Sequence, residues 1–227
     1  MDDISQHLPL SQRASGDESG VSGNWRPLIG DSLIRLADLL DTLTPEQWEA
    51  PSLCTGWTVR EVAGHLVWVV GSSRRKVLTA IIRSCVGSRI LPMTAVDRLS
   101  RATAHHSTVE LVRMLRELAS RRLAGLGRRG VGDLTEVVVH GYDIAAALAH
   151  ELAFSAVATG AVAVARAARA PAETKALLRN HIFTATDAGW SVGRGTPLAA
   201  PTDVLIPRLF SRTLPEISAA PSGGPTN

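Results

Sequence analysis

The sequence predicts a mainly α-helical protein, an antiparallel four-helix bundle with a short C-terminal α+β extension. Three observations carry the prediction. Apolar residues recur at intervals of three and four from Trp25 onward. Cap motifs of the Ser/Thr-x-x-Glu/Gln kind open several of those stretches, and only after Pro171 does the pattern turn to alternation. A chain of 227 residues can bury the core of a domain of ordinary size. The division expected is a disordered tail over 1–23, the helical bundle over 24–168, a small α+β extension over 169–217 and a second disordered tail over 218–227.

The opening tail mixes Asp, Ser, Gly and Gln, too few apolar groups to offset the entropy of ordering, and lacks the basic start and apolar run of a signal peptide. The first helix carries Leu28, Ile29, Leu33, Leu36, Ala37 and Leu40 and ends near Asp41. Thr44, Pro45 and Gln47 then read as cap, first helical residue and returning acceptor of a second, short helix. Pro51 to Trp57 reads as a tight loop, and the Thr58–Glu61 box restarts a helix to about Val70, where Gly71, Ser72 and Ser73 end or bend it. Helical pattern resumes from Lys76 to Ile82.

A Ser107–Glu110 box opens the next helix toward Leu123, closed by Gly125, Gly127 and Gly130. Asp133 is read as the start of a fourth helix, with Ile144 and Leu148 on its apolar stripe. Leu152 to Ala165 is weakly polar but interrupted by Ser155 and Thr159, and too short for the ~18 residues a membrane span needs, so it is expected as a buried helix. Beyond Pro171, His181 to Asp187 and Trp190 to Val192 read as a hairpin across Ala188-Gly189, and Pro201 to Arg212 as a last helix.

Two cysteines, Cys54 and Cys85, cannot staple a fold and suit a reducing cytoplasm, which is the expected location. The net charge of +3 is small. Arginine and lysine cluster at Arg74, Arg75, Lys76, Arg83 and Arg89 and again at Arg121, Arg122, Arg128 and Arg129, but no nucleic-acid motif accompanies them. Solvated helix faces are the expectation, with neither nucleic acid nor membrane as a partner.

Glu136 and His140 carry the chemistry. Four apart on a helix, their Cβ atoms lie about 6 Å from each other and both side chains can reach one metal; on a strand the spacing is about 13 Å and they cannot. Val137-Val138-Val139 favours a strand, and the alanine-rich continuation through Ala147 favours a helix. A third ligand is required, and His65, set among Val62, Leu66 and Val69, is the candidate; two histidines and a glutamate form a catalytic zinc set, with nickel and iron also compatible. A second reading stays open for each residue. Glu136 completes a capping box with Asp133, and His65 and His140 are core histidines satisfied by backbone carbonyls. Cys54 reads as a small buried thiol and His105-His106 as exposed loop.

Leu43 to Trp48 together with Pro51 to Leu66, and Glu136-Val137-Val138-Val139-His140-Gly141-Tyr142-Asp143-Ile144, resemble the two signature blocks of mycothiol-dependent maleylpyruvate isomerases. The resemblance implies a DinB-like bundle in which His65, Glu136 and His140 bind a divalent metal, usually zinc, and an actinobacterial source. It also implies mycothiol as thiol cosubstrate, an electrophilic small molecule as its partner, and isomerase or S-transferase activity. Asp143 is expected to orient a ligand from behind or to be merely solvated, and Arg212 to meet a substrate carboxylate. The segment from Ala185 to Gly193 looks like the start of that family's smaller C-terminal region, abbreviated here and carrying Ser211-Arg212 where a Gly-Arg is usual. The alternative from another class is a non-catalytic DinB-like ligand-binding or regulatory protein.

Overall fold

The computed structural model describes residues 23–73, 75, 77–79, 82 and 92–212. The expected tail over 218–227, nearly all of that over 1–23, and Lys76, Ala80 and Ile81 lie outside the described residues; Val77, Leu78, Thr79 and Ile82 are helical, as expected. In chain order the elements are α1 (Arg26–Asp41), α2 (Pro45–Glu49), α3 (Val59–Gly71), α4 (Pro92–Ala104), α5 (Thr108–Leu123), α6 (Val131–Ala147), α7 (Ala156–Arg169) and α8 (Ala172–Asn180). Strands β1 (His181–Ala185), β2 (Ser191–Gly193) and β3 (Thr196–Ala200) follow, then helix α9 (Thr202–Leu209). This is the expected mainly α architecture with a small C-terminal α+β part. Among the described residues no helix is long and apolar enough to cross a membrane.

The core of the bundle is built from α1, α3, α5 and α6, whose buried Leu33, Leu36, Leu66, Leu111, Leu115, Leu134 and Ile144 form one apolar cluster. The caps behave largely as read. Thr44 and Thr58 each accept from the backbone three residues on, while Gln47 and Glu61 reach back. Ser107 caps Glu110, but no return bond forms because the Glu110 carboxylate is held by Arg113. Three consecutive valines do not make a strand: Val137, Val138 and Val139 are all buried on α6, a helix apolar nearly all round.

Two expectations are corrected at the start of α6. It begins at Val131 after Gly130, so Asp133 lies inside its first turn and is no cap, and Glu136 completes no box. Asp133 is instead buried against Arg122 and Arg128, at 3.0 Å from the first and 2.6 Å from the second. Arg122 is therefore not on a solvated face. It and Arg128 also donate to the carbonyls of Val70 and Val69, the closing turn of α3. The buried helix expected from Leu152 begins only at Ala156, with Ser155 as its cap.

Elements absent from the sequence reading are α4, α8 and β3. Helix α4 lies along α3 so closely that a Cβ at Gly64 would sit 2.7 Å from the Ala104 nitrogen and 2.8 Å from the Ser100 carbonyl oxygen. The strand order is β2-β1-β3: the expected β1–β2 hairpin is antiparallel, and β3 runs parallel to β1 on the other side. The chain crosses from β2 to β3 over the backbone of Asn180 and His181 through Gly193 and Gly195, both at positive φ. Pro197 is tolerated in β3 because that strand is an edge.

Helix α9 is tied to α6 through Tyr142, whose hydroxyl lies 3.0 Å from that of Thr202, itself a donor to Asp187. It ends on a Schellman closure: Ser211 N–H donates to the Arg208 carbonyl and Arg212 N–H to that of Pro207, with Ser211 at φ 60°. Ser211 thus adopts the left-handed conformation in which a glycine is at ease. That reversal aims Arg212 back at α6.

Candidate metal centre

Glu136 and His140 sit one turn apart on α6, and both point toward His65 on α3. Glu136 Oε2 lies 3.3 Å from His65 Nε2 and 3.4 Å from His140 Nε2. One ligand atom from each of the three falls within 4.8 Å of the others. The helix reading was the step on which this depended, since only a 3.6-residue period stacks positions four apart.

Behind the two imidazoles stand different partners. His140 Nδ1 faces the Asp143 carboxylate at 3.0 Å, and His65 Nδ1 faces the Ser100 hydroxyl at 3.0 Å. Asp143 is fully buried and is gripped from its other side by Arg212, Nε to Oδ1 at 2.7 Å and Nη2 to Oδ2 at 2.8 Å. Asp143 and Arg212, the two other sequence candidates, are therefore joined to each other and, through His140, to Glu136 and His65.

The charges follow from this arrangement. Burial alone would push His140 down, yet its bonds to Asp143 and Glu136 carry it up to about 9. Burial opposes the Glu136 charge, but its contacts with His140 and His65 hold its carboxyl well below the usual range. Asp143 is likewise held low, with His140 and Arg212 overcoming its burial. His65 is pushed down by burial, which keeps it neutral. A divalent cation taken up here would compete with protons for the same three atoms.

A cavity of about 600 Å³ opens onto these side chains, walled by Cys54, Thr55, Trp57, Val96, Asp97 and Arg212. The loop before α3 shapes one wall. Pro51 bridges Thr58, the Ser52 hydroxyl donates to the Trp57 carbonyl, Leu53 N–H donates to the Asp143 carbonyl, and Gly56 turns at φ 81°. Trp57 lies against both imidazoles, 5.0 Å from the His65 ring and 6.5 Å from that of His140, and donates its indole N–H to Asp97 at 2.6 Å. Cys54 is half-buried beside His140 and Asp143, and burial raises its thiol pKa, with the Arg212 charge opposing. His105 and His106 are exposed, as expected, and take no part.

The sequence reading missed Ser100 and Asp97 because it missed α4. Among its described side chains those fully buried are Ala95, Ser100 and Ala104, small residues without the bulk of a leucine stripe. Trp57 and Cys54 lie within the Pro51 to Leu66 segment, but nothing in their spacing said they would face the histidines.

A family model described as the mycothiol maleylpyruvate isomerase N-terminal domain matches residues 29–145, just over half of the chain. The chain belongs to that family. The match spans His65, Glu136, His140 and Asp143, and stops short of Arg212. Among curated proteins no sequence matches. Two crystal structures are similar to the chain. One, of the mycothiol-dependent maleylpyruvate isomerase, is 9% identical with a TM-score of 0.49, covering 86% of this chain and 95% of that one. The other, a mutant of that isomerase, is 8% identical with a TM-score of 0.45, covering 81% and 87% respectively.

Proposed function

We propose that His65, Glu136 and His140 hold a divalent metal, zinc by the chemistry of the set, and that the protein is a mycothiol-using isomerase or S-transferase acting on an electrophilic small molecule. The observation that carries this is the convergence of two Nε2 atoms and a carboxylate oxygen within 4.8 Å, each imidazole engaged at Nδ1 from behind. Two imidazoles and one carboxylate are a donor set that leaves a coordination position open. Membership of the mycothiol isomerase family supports the choice of thiol. A divalent cation at this position supplies the charge that favours thiolate over thiol, whose free pKa is about 8.5.

The chain's own residues do the rest. Asp143 orients His140 by accepting from its Nδ1, and Arg212 holds Asp143 in place. A guanidinium has about five N–H donors, so those Arg212 does not spend on Asp143 serve a substrate carboxylate in the cavity it lines. Trp57 and Val96 form an apolar wall that keeps water from part of the space. Addition of the thiol to an activated double bond and its later departure gives isomerisation; its retention gives S-transfer.

The test is elemental analysis followed by cobalt substitution. About one divalent ion per chain is expected, and mycothiol should raise a sulfur-to-cobalt charge-transfer band that His140→Ala lacks. A folded protein that cannot be loaded with metal would sink the reading. A loaded protein blind to mycothiol would leave the binding-protein alternative in its place.

A further inference from the structure

We infer that Ser100, on α4, is a positioning residue that turns the open Nε2 of His65 toward the cavity; this rests on the metal reading above. Ser100 is fully buried, and its hydroxyl donates to the Val96 carbonyl at 2.8 Å while lying 3.0 Å from His65 Nδ1. One hydroxyl hydrogen serves one acceptor. With it directed at Val96, Ser100 offers His65 a lone pair, and Nδ1 carries the ring hydrogen. Nε2 is then free of hydrogen and faces Glu136 Oε2 at 3.3 Å, the arrangement a cation needs. The opposite tautomer places the hydrogen on Nε2, aimed at Glu136, and closes His65 to a metal.

The contact depends on how near α4 comes. Gly64, next to His65, has no Cβ to hold α4 away, and the Ser100 carbonyl lies where that Cβ would crowd it, at 2.8 Å. The two ligating imidazoles are thus supported differently. His140 leans on a carboxylate that only accepts, whereas His65 leans on a hydroxyl that can turn. Without Ser100, the buried Nδ1–H of the open tautomer has no acceptor, and the closed tautomer gains.

The experiment compares wild type, Ser100→Ala, Ser100→Cys and Thr103→Ala by cobalt titration and by NMR of the exchangeable imidazole N–H protons of the cobalt protein. Thr103 makes the same kind of bond to the carbonyl four residues back, at 3.0 Å from Leu99, but does not touch His65. Wild type should show two shifted N–H resonances. Ser100→Ala should bind cobalt about 10–100-fold more weakly and lose or rapidly exchange one resonance while keeping the other. Ser100→Cys, nearly isosteric with a poor acceptor, should do the same if the alanine lowers helicity, and Thr103→Ala should match wild type. Ser100 variants that keep wild-type affinity and both resonances overturn the inference alone. A wild-type protein that takes up no cobalt overturns the metal reading and this with it.

Discussion

Asp133 and Asp143 both lie on α6, both are buried, and both are gripped by arginine, yet one cluster holds the fold and the other faces a cavity. Around Asp133, Arg122 and Arg128 also donate to the carbonyls of Val69, Val70 and Leu126, so the cluster closes largely upon the main chain, with Arg122 Nε–H alone of these donors buried without a partner. Around Asp143 one oxygen also meets His140, whose other nitrogen points to Glu136 and His65 beside the cavity. The pairing chemistry is the same in both. What separates the two is where the partners' spare hydrogen-bonding capacity goes.

Breaking each cluster should therefore give different losses. Asp133→Ala leaves Arg122 buried without its counter-charge and should lower unfolding free energy by about 3–5 kcal/mol in denaturant titration, with metal stoichiometry intact in the protein that remains folded. A small loss there would mean the cluster is hydrated, and the comparison would break. Asp143→Asn should cost less stability in the metal-free protein but weaken metal binding by about 10–100-fold, as measured by competition with a chelating dye. Equal effects of the two substitutions on metal affinity would show that both clusters only hold the helix.

Smaller effects sharpen the comparison. Ser211 holds the left-handed turn that sends Arg212 to Asp143, a conformation costing an L-residue about 1–2 kcal/mol. Ser211→Gly should accordingly raise the thermal midpoint by an amount worth about 1 kcal/mol, and a lowered midpoint would mean the serine side chain contributes more than its backbone costs. The slightest change concerns Cys54. Its raised thiol pKa means less thiolate at a given pH, so peptide-resolved alkylation should lag that of the denatured chain at pH 8 and approach it as the pH rises past the raised value. Faster alkylation in the folded protein would show that the Arg212 charge outweighs burial.

Much of the helical part was legible because its signals are local. Thr44, Thr58 and Ser107 announce helix starts by bonds to residues three positions on, and Gly125 announces an end by its positive φ. The i, i+4 relation of Glu136 and His140 is equally local once α6 is helical. Asp133 misled for the opposite reason: near a helix start an aspartate looks like a cap, and only Arg122, packed from another helix, makes it a buried ion pair. Helix α4 went unread because the described side chains it buries are small, and strand β3 because a proline stands within it.

The sequence by itself determined the helical period, the cap positions and the spacing that puts a carboxylate and an imidazole on one face of α6, since each depends on residues within a turn or so of one another. Tertiary structure decided what stands around them: His65 brought across from α3, Ser100 behind it, Arg212 delivered to Asp143 by the closure of α9. Those contacts join residues 71, 35 and 69 positions apart, respectively. No local propensity encodes them; they exist only because apolar packing fixes the helices against one another and glycine at position 64 lets α3 and α4 close to backbone contact.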